Sequence, residues 1–172
     1  MGKCPYTNFK NRVLDYINIL RTPREEYGNM PPCPFVGAEL DKNKLLIEKF
    51  DPKENTLLDM IEKLENSDYD SALFAQVQDD DLKQNDTVRY QNFINKTLQE
   101  NGYTHLTCIC FNPADKLNIN GFNPRSQAPY FLINIAQSSV LSKAHTNLLK
   151  TNYFDKMNDR YLKYLKVKKD EL

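Results

Sequence analysis

One amphipathic helix set between two short apolar runs constrains this chain more than any other feature. Residues 86–103, "DTVRYQNFINKTLQENGY", place Tyr90, Phe93, Ile94 and Leu98 along one stripe, with Asp86 able to cap the start and Gly102 standing where a helix stops. "SALFAQVQ" (71–78) precedes it as a short apolar strand, and "THLTCICFNP" (104–113) follows as a strand ended by Pro113. A helix joining two strands implies a crossover, so the strands should be parallel and the connection right-handed.

The same unit is written once more upstream. "NTLLDMIEKLEN" (55–66) puts Leu57, Leu58, Ile61 and Leu64 on one face behind the capping candidates Asn55 and Thr56. Before it, residues 35–40 and 44–50 read as two strand-like runs around the turn-prone Asp41-Lys42-Asn43, a hairpin. The chain opens on a further amphipathic helix, with Phe9, Val13, Tyr16, Ile17 and Leu20 at the helical period. "PYFLINIAQSSVLSKAH" fits a strand over its first six residues, yet also fits a helix opened by Pro129, and we read a helix.

The expected fold is therefore a single α/β domain over residues 1–172, a small mixed sheet of a hairpin plus two strand–helix–strand crossovers, covered by helices. Two segments stand apart within it. Residues 21–34 form a proline-rich loop, because four prolines and a glycine exclude regular structure there. Residues 152–172 read as an amphipathic helix and tail, with Phe154, Met157, Tyr161 and Leu165 opposite several lysines.

Charge narrows the partners. Twenty-three basic and 23 acidic residues cancel, so no broad electrostatic footprint for nucleic acid or an anionic membrane is expected. No apolar run approaches the roughly 18 residues of a membrane span, and "MGKCPYTNFKNR" lacks a signal peptide's apolar stretch. We expect a soluble, cytoplasmic protein, and the final "KDEL" then reads as a chance match. The abundance of Asn, Lys, Ile and Asp with few glycines suits an AT-rich bacterial or phage genome.

In a reducing compartment the four cysteines should be thiols rather than disulfides. Cys108 and Cys110 lie two apart on a strand and point to one face as buried structural thiols. Cys33 differs, because "MPPCPFVG" holds it between prolines that leave it few conformations. Such a frame suits a presented nucleophile or redox thiol, and equally suits a loop closure in which Phe35 plugs the core. "KCPYT" (3–7) repeats the frame weakly around Cys4.

Ligands of open sheets gather beyond the carboxyl ends of parallel strands. That rim should hold Asp51, the run Asp79–Asp81, and Asn112 with the loop through Arg125. Arg125 offers a planar fork for an anionic group and Ser126 a further donor. The acidic run could hold a hard cation, though a solvated loop explains it as well. His105 falls at the opposite strand end and His145 late in a helix, so neither supports a Cys–His pair, and no glycine-rich phosphate loop is present.

Taken in succession, "CPF" (33–35), "DTVRYQNF" (86–93), "CFNP" (110–113) and "PRSQAPYFLINIAQ" (124–137) resemble an uncharacterised bacterial domain-of-unknown-function family. Its members carry Cys-Pro-Phe-Ala, a Phe-His-Pro strand end and Asn-Arg-Ser-Pro-Tyr-Pro before a helix. The resemblance covers roughly residues 33–145. It implies that Cys33, Arg125, Ser126 and Tyr130 form one neighbourhood and that a helix follows Pro129. This chain departs from the pattern at Asn112, where the family has histidine, and by two extra residues after Ser126.

These observations leave two functional expectations. The first is a small-molecule enzyme or binder whose rim pocket uses the Cys33 thiol, Asn112, Arg125, Ser126 and Tyr130, with an anionic small molecule as ligand. The second is a non-catalytic accessory protein acting through contact with a protein partner. No particular cofactor or metal is implied by either.

Overall fold

A computed structural model describes residues 5–76, 87–116 and 119–164. Helix α1 (Pro5–Arg21) buries Phe9, Val13, Tyr16, Ile17 and Leu20, the stripe its sequence predicts. The proline-rich segment after it holds one 3-10 turn (Glu25–Tyr27). Gly28 closes that turn at φ +63°, and a Cβ there would sit 2.3 Å from the Asn152 carbonyl oxygen, so both conformation and space demand glycine.

Helix α2 (Pro34–Asp41) corrects the expected hairpin. Pro34 occupies the first helical position, where its missing N–H costs nothing, and Gly37 lets the helix approach α1, with its would-be Cβ 2.9 Å from Arg21 Cβ. An apolar run this short carries no decisive period, and the proline decides for helix. The expected turn is nonetheless present: Asn43 takes φ +56° and leads into strand β1 (Leu45–Phe50).

Helix α3 (Leu57–Glu65) starts on a reciprocal cap. The Asp59 N–H donates to Thr56 Oγ1 at 3.2 Å, while the Thr56 N–H donates to the Asp59 carboxylate at 2.7 Å. Strand β2 (Ser71–Gln76) is buried throughout, helix α4 (Thr87–Glu100) buries Ile94 and Leu98, and Gly102 at φ +84° ends its turn before strand β3 (Leu106–Phe111).

The segment after Pro129 is the second correction. Phe131–Gln137 is strand β4, and helix α5 (Ser138–Leu148) begins only after it. Residues 131–136 are all buried, on both faces of the strand, which a central strand requires and a half-exposed helix cannot supply. The polar Asn134 is accommodated because its amide donates to the Ala72 carbonyl at 3.0 Å.

Strand order is β1-β2-β4-β3, with β1 and β2 parallel and β4 antiparallel to both its neighbours. The single-domain α/β architecture is a mixed sheet with helices on both faces. One core cluster joins α3 and α4 to the sheet through Ile61, Leu64, Ile94, Leu98, Phe74 and Ile133. A second joins α1 and α2 through Tyr16, Ile17, Val36, Leu73 and Leu132. A third holds the loops together around Tyr27, Phe122, Tyr153 and Phe154, ahead of the short helix α6 (Asp159–Tyr164). The final helix expected over 152–172 is thus a 3-10 turn (Asn152–Phe154) followed by α6, and residues 165–172 lie outside the described part. Among the described residues no helix is long and apolar enough to cross a membrane.

Candidate functional site

The carboxyl ends of β1 and β3 and the start of β4 meet on one rim. Asp79–Asp81 belong to this rim by sequence but fall outside the described residues. From β3 the chain enters a loop that bonds to itself. Asn112 Oδ1 accepts the Ala114 N–H at 2.9 Å, Asn123 Oδ1 accepts the Arg125 N–H at 3.0 Å, and the Ser126 hydroxyl donates to the Asn123 carbonyl at 2.9 Å. These short polar side chains replace missing backbone partners.

Arg125 lies inside this loop. Its Nη1 donates to the Asp115 carboxylate at 3.2 Å, and both side chains are under a tenth exposed. Removing either partner of such a pair strands a buried charge. Cys33 is close by: it is the extended residue ahead of α2, and its N–H donates to the Leu20 carbonyl at 2.9 Å. Burial pushes its thiol pKa up, opposed by the N–H groups of Val36 and Phe35 and by the charge of Arg125. Cys33 and Arg125 therefore share a neighbourhood. Tyr130 stacks on Phe9 with ring centroids 5.6 Å apart and accepts from Arg12 at 3.4 Å, and Ser126 stands at the exposed surface of the loop.

Away from the rim, Cys108 and Cys110 point to one face with sulfurs 3.6 Å apart and no exposure, and burial raises the Cys108 thiol far above its ordinary value. His105 pairs with Glu65 at 3.0 Å, and His145 packs on Phe154. Among the described residues no three His, Cys, Asp or Glu side chains gather as a metal site.

A groove of about 440 Å³ opens elsewhere on the rim, at the end of β1, walled by Lys10, Ile47, Lys49, Asp51, Glu54 and Asn55 together with Glu48. Asp51, placed on the rim from the sequence, lines it, whereas Cys33, Asn112, Arg125, Ser126 and Tyr130 do not. The expected hairpin obscured it, because a strand at 35–40 would have paired along β1. With those residues in α2, β1 is an edge strand.

The two sheet edges differ in a way the registers make explicit. Leu45 pairs with Ser71, whose N–H donates to the Lys44 carbonyl at 3.2 Å, so the backbone groups of Leu46, Glu48 and Phe50 face β2. Those of Leu45, Ile47 and Lys49 face outward. Among the described residues no hydrogen bond reaches the outward groups of Leu45 or Ile47. At the far edge Cys108 and Cys110 face outward from β3, and α4 covers them. The Cys108 N–H donates to Asn95 Oδ1 at 2.8 Å, the Asn95 amide donates back to the Cys108 carbonyl at 3.1 Å, and the Cys110 N–H donates to Gln91 Oε1 at 3.0 Å.

No protein-family model, curated protein or solved structure matches this chain.

Proposed function

We propose that the chain is a non-catalytic binding protein that takes an extended segment of a partner protein along the outer edge of β1. The unequal treatment of the two edges carries this reading. An uncapped edge presents a row of backbone donors and acceptors, and strand addition is the recognition mode that uses them. The groove beside Ile47 and Lys49 leaves room for the added segment's side chains.

Selection of dodecapeptides from a random displayed library tests it. Peptides that bind should protect the Leu45 and Ile47 amides from hydrogen exchange. Selected peptides that leave β1 unprotected overturn the reading.

The closeness of Arg125 to Cys33 supports a second reading, a rim enzyme or binder for an anionic small molecule with Asn112, Ser126 and Tyr130 around it. It requires a reactive thiolate, whereas burial raises this thiol's pKa and Arg125 already pairs with Asp115. Alkylation between about pH 5 and 9 separates the two: rapid reaction of Cys33 well below the free-thiol value of about 8.5, slowed by Arg125→Ala, would favour the thiol.

A further inference from the structure

How little of β1 is free decides what kind of segment docks on it. Before Leu45 the chain folds back on α2, with Asn43 at φ +56° and the N–H groups of Asn43 and Lys44 donating to the Leu40 and Glu39 carbonyls at 3.0 and 2.9 Å. After Phe50 it turns at Asp51, whose carbonyl accepts from the Glu54 and Asn55 N–H groups at 3.0 Å and whose side chain accepts the Lys53 N–H at 2.9 Å. Lys49 is engaged within the chain, its ammonium lying 5.8 Å from the centre of the Phe9 ring. The free ladder among the described residues is therefore Leu45 and Ile47, each with one outward N–H and one outward carbonyl.

Side chains add little to it. Those of Leu45 and Ile47 already pack among residues of α1 and α2, leaving the two residues only 6% and 9% exposed, and the groove alongside is walled by charged and polar residues except at Ile47. An incoming segment meets backbone and gains almost no apolar burial. Ordering one residue of a flexible chain costs at least as much as one such hydrogen bond returns on balance. Engaging the free groups takes about three residues in extended register, so a disordered tail gains nothing net by pairing.

We infer that the partner brings a strand already formed, the edge of its own sheet or one arm of a β-hairpin, and that docking extends the four-stranded sheet past β1. This rests on the strand-addition reading above. A strand held by its own fold has lost its conformational freedom before it arrives, so the new backbone bonds count in full.

Two displayed dodecapeptide libraries with the same randomised positions test it. One is closed by a disulfide between its ends around a central Asn-Gly turn, and the other carries serine in place of both cysteines and of the turn pair. Binders from the closed library should protect the Leu45 and Ile47 amides from hydrogen exchange, and should weaken about tenfold or more when resynthesised with serine for both cysteines. Open-library peptides that protect the same amides and bind at least as tightly, or closed ones indifferent to opening, overturn the preformed strand and leave strand addition standing. If neither library yields a peptide that protects β1, the preformed strand and strand addition fall together.

Discussion

Among the described residues, the β3 flank of this sheet is covered by α4 and the β1 flank is open. On the closed flank, α4 turns two side-chain amides onto the outward backbone of β3, and the following loop buries the Arg125–Asp115 pair. On the open flank, the outward groups of Leu45 and Ile47 have no hydrogen-bond partner among the described residues, and the charged side chains beside them line a groove. Both flanks need their polar groups satisfied. One does so largely through α4, and the other, among the described residues, leaves the groups of Leu45 and Ile47 without a partner.

The largest expected effect breaks the closed flank. Asp115→Ala leaves the Arg125 guanidinium buried without its carboxylate and should cost about 3–5 kcal/mol in denaturant unfolding. Glu54→Ala, the corresponding truncation on the open flank, should stay within about 0.5 kcal/mol. Comparable losses at the two positions would remove the distinction between a loop built into the fold and one built around a groove.

Next in size is Gln91→Ala/Asn95→Ala. It frees outward backbone groups of Cys108 and Cys110 and should cost roughly 2–4 kcal/mol. It should also give β3 the character of an open edge, seen as concentration-dependent association in sedimentation. A variant that loses stability yet stays monomeric at all concentrations would show that α4 shields the edge by bulk alone.

How the flanks could be misread from sequence is a matter of two short runs. The stripes of α1, α3 and α4 are long enough to declare their period, so the parallel crossover and the mixed sheet were legible, although Phe93, read as part of the α4 stripe, stands exposed. "FVGAEL" and "FLINIA" are too short to do so, and each adopts the alternative structure. Pro34 at the first helical turn decides the former, and burial on both faces decides the latter. Only the first error bears on function, because a strand at 35–40 would have covered β1. The charged stretch from Glu48 to Asn55 was visible all along, but its meaning depends on which strand is at the edge, and that is a long-range fact. The nearness of Cys33 and Arg125 joins the residue ahead of α2 to the loop after β3.

A smaller effect sharpens the comparison at α3, which follows the open flank's loop. Thr56→Ala removes the cap and should cost about 1 kcal/mol at neutral pH. The Thr56 hydroxyl and then its N–H hold the Asp59 carboxyl below its usual pKa. A carboxylate lowered in the folded state stabilises above its unfolded pKa of about 3.9, and that contribution disappears as pH falls through the lower folded value. The variant should therefore lose less stability on acidification than the parent; an identical pH profile would separate Asp59 from the cap.

The smallest expected effect tests the foundation of the open edge, which is the direction of individual backbone groups. Proline deletes an N–H, so its cost depends on where that N–H points. The register directs the Glu48 N–H at β2 and the Ile47 N–H outward. Glu48→Pro should lose a ladder bond and destabilise the fold by several kcal/mol, on the order of the cost of proline in a regular element. An amide-to-ester exchange at Ile47, introduced by ligation one residue away on the same strand, removes only an outward N–H and should change stability by less than about 1 kcal/mol. It should nevertheless abolish strand addition, because the deleted donor is one the added segment uses. Equal destabilisation by the two changes would mean that the Ile47 N–H is already engaged within the fold. The edge would then be closed on both flanks, and the binding reading would lose its structural basis.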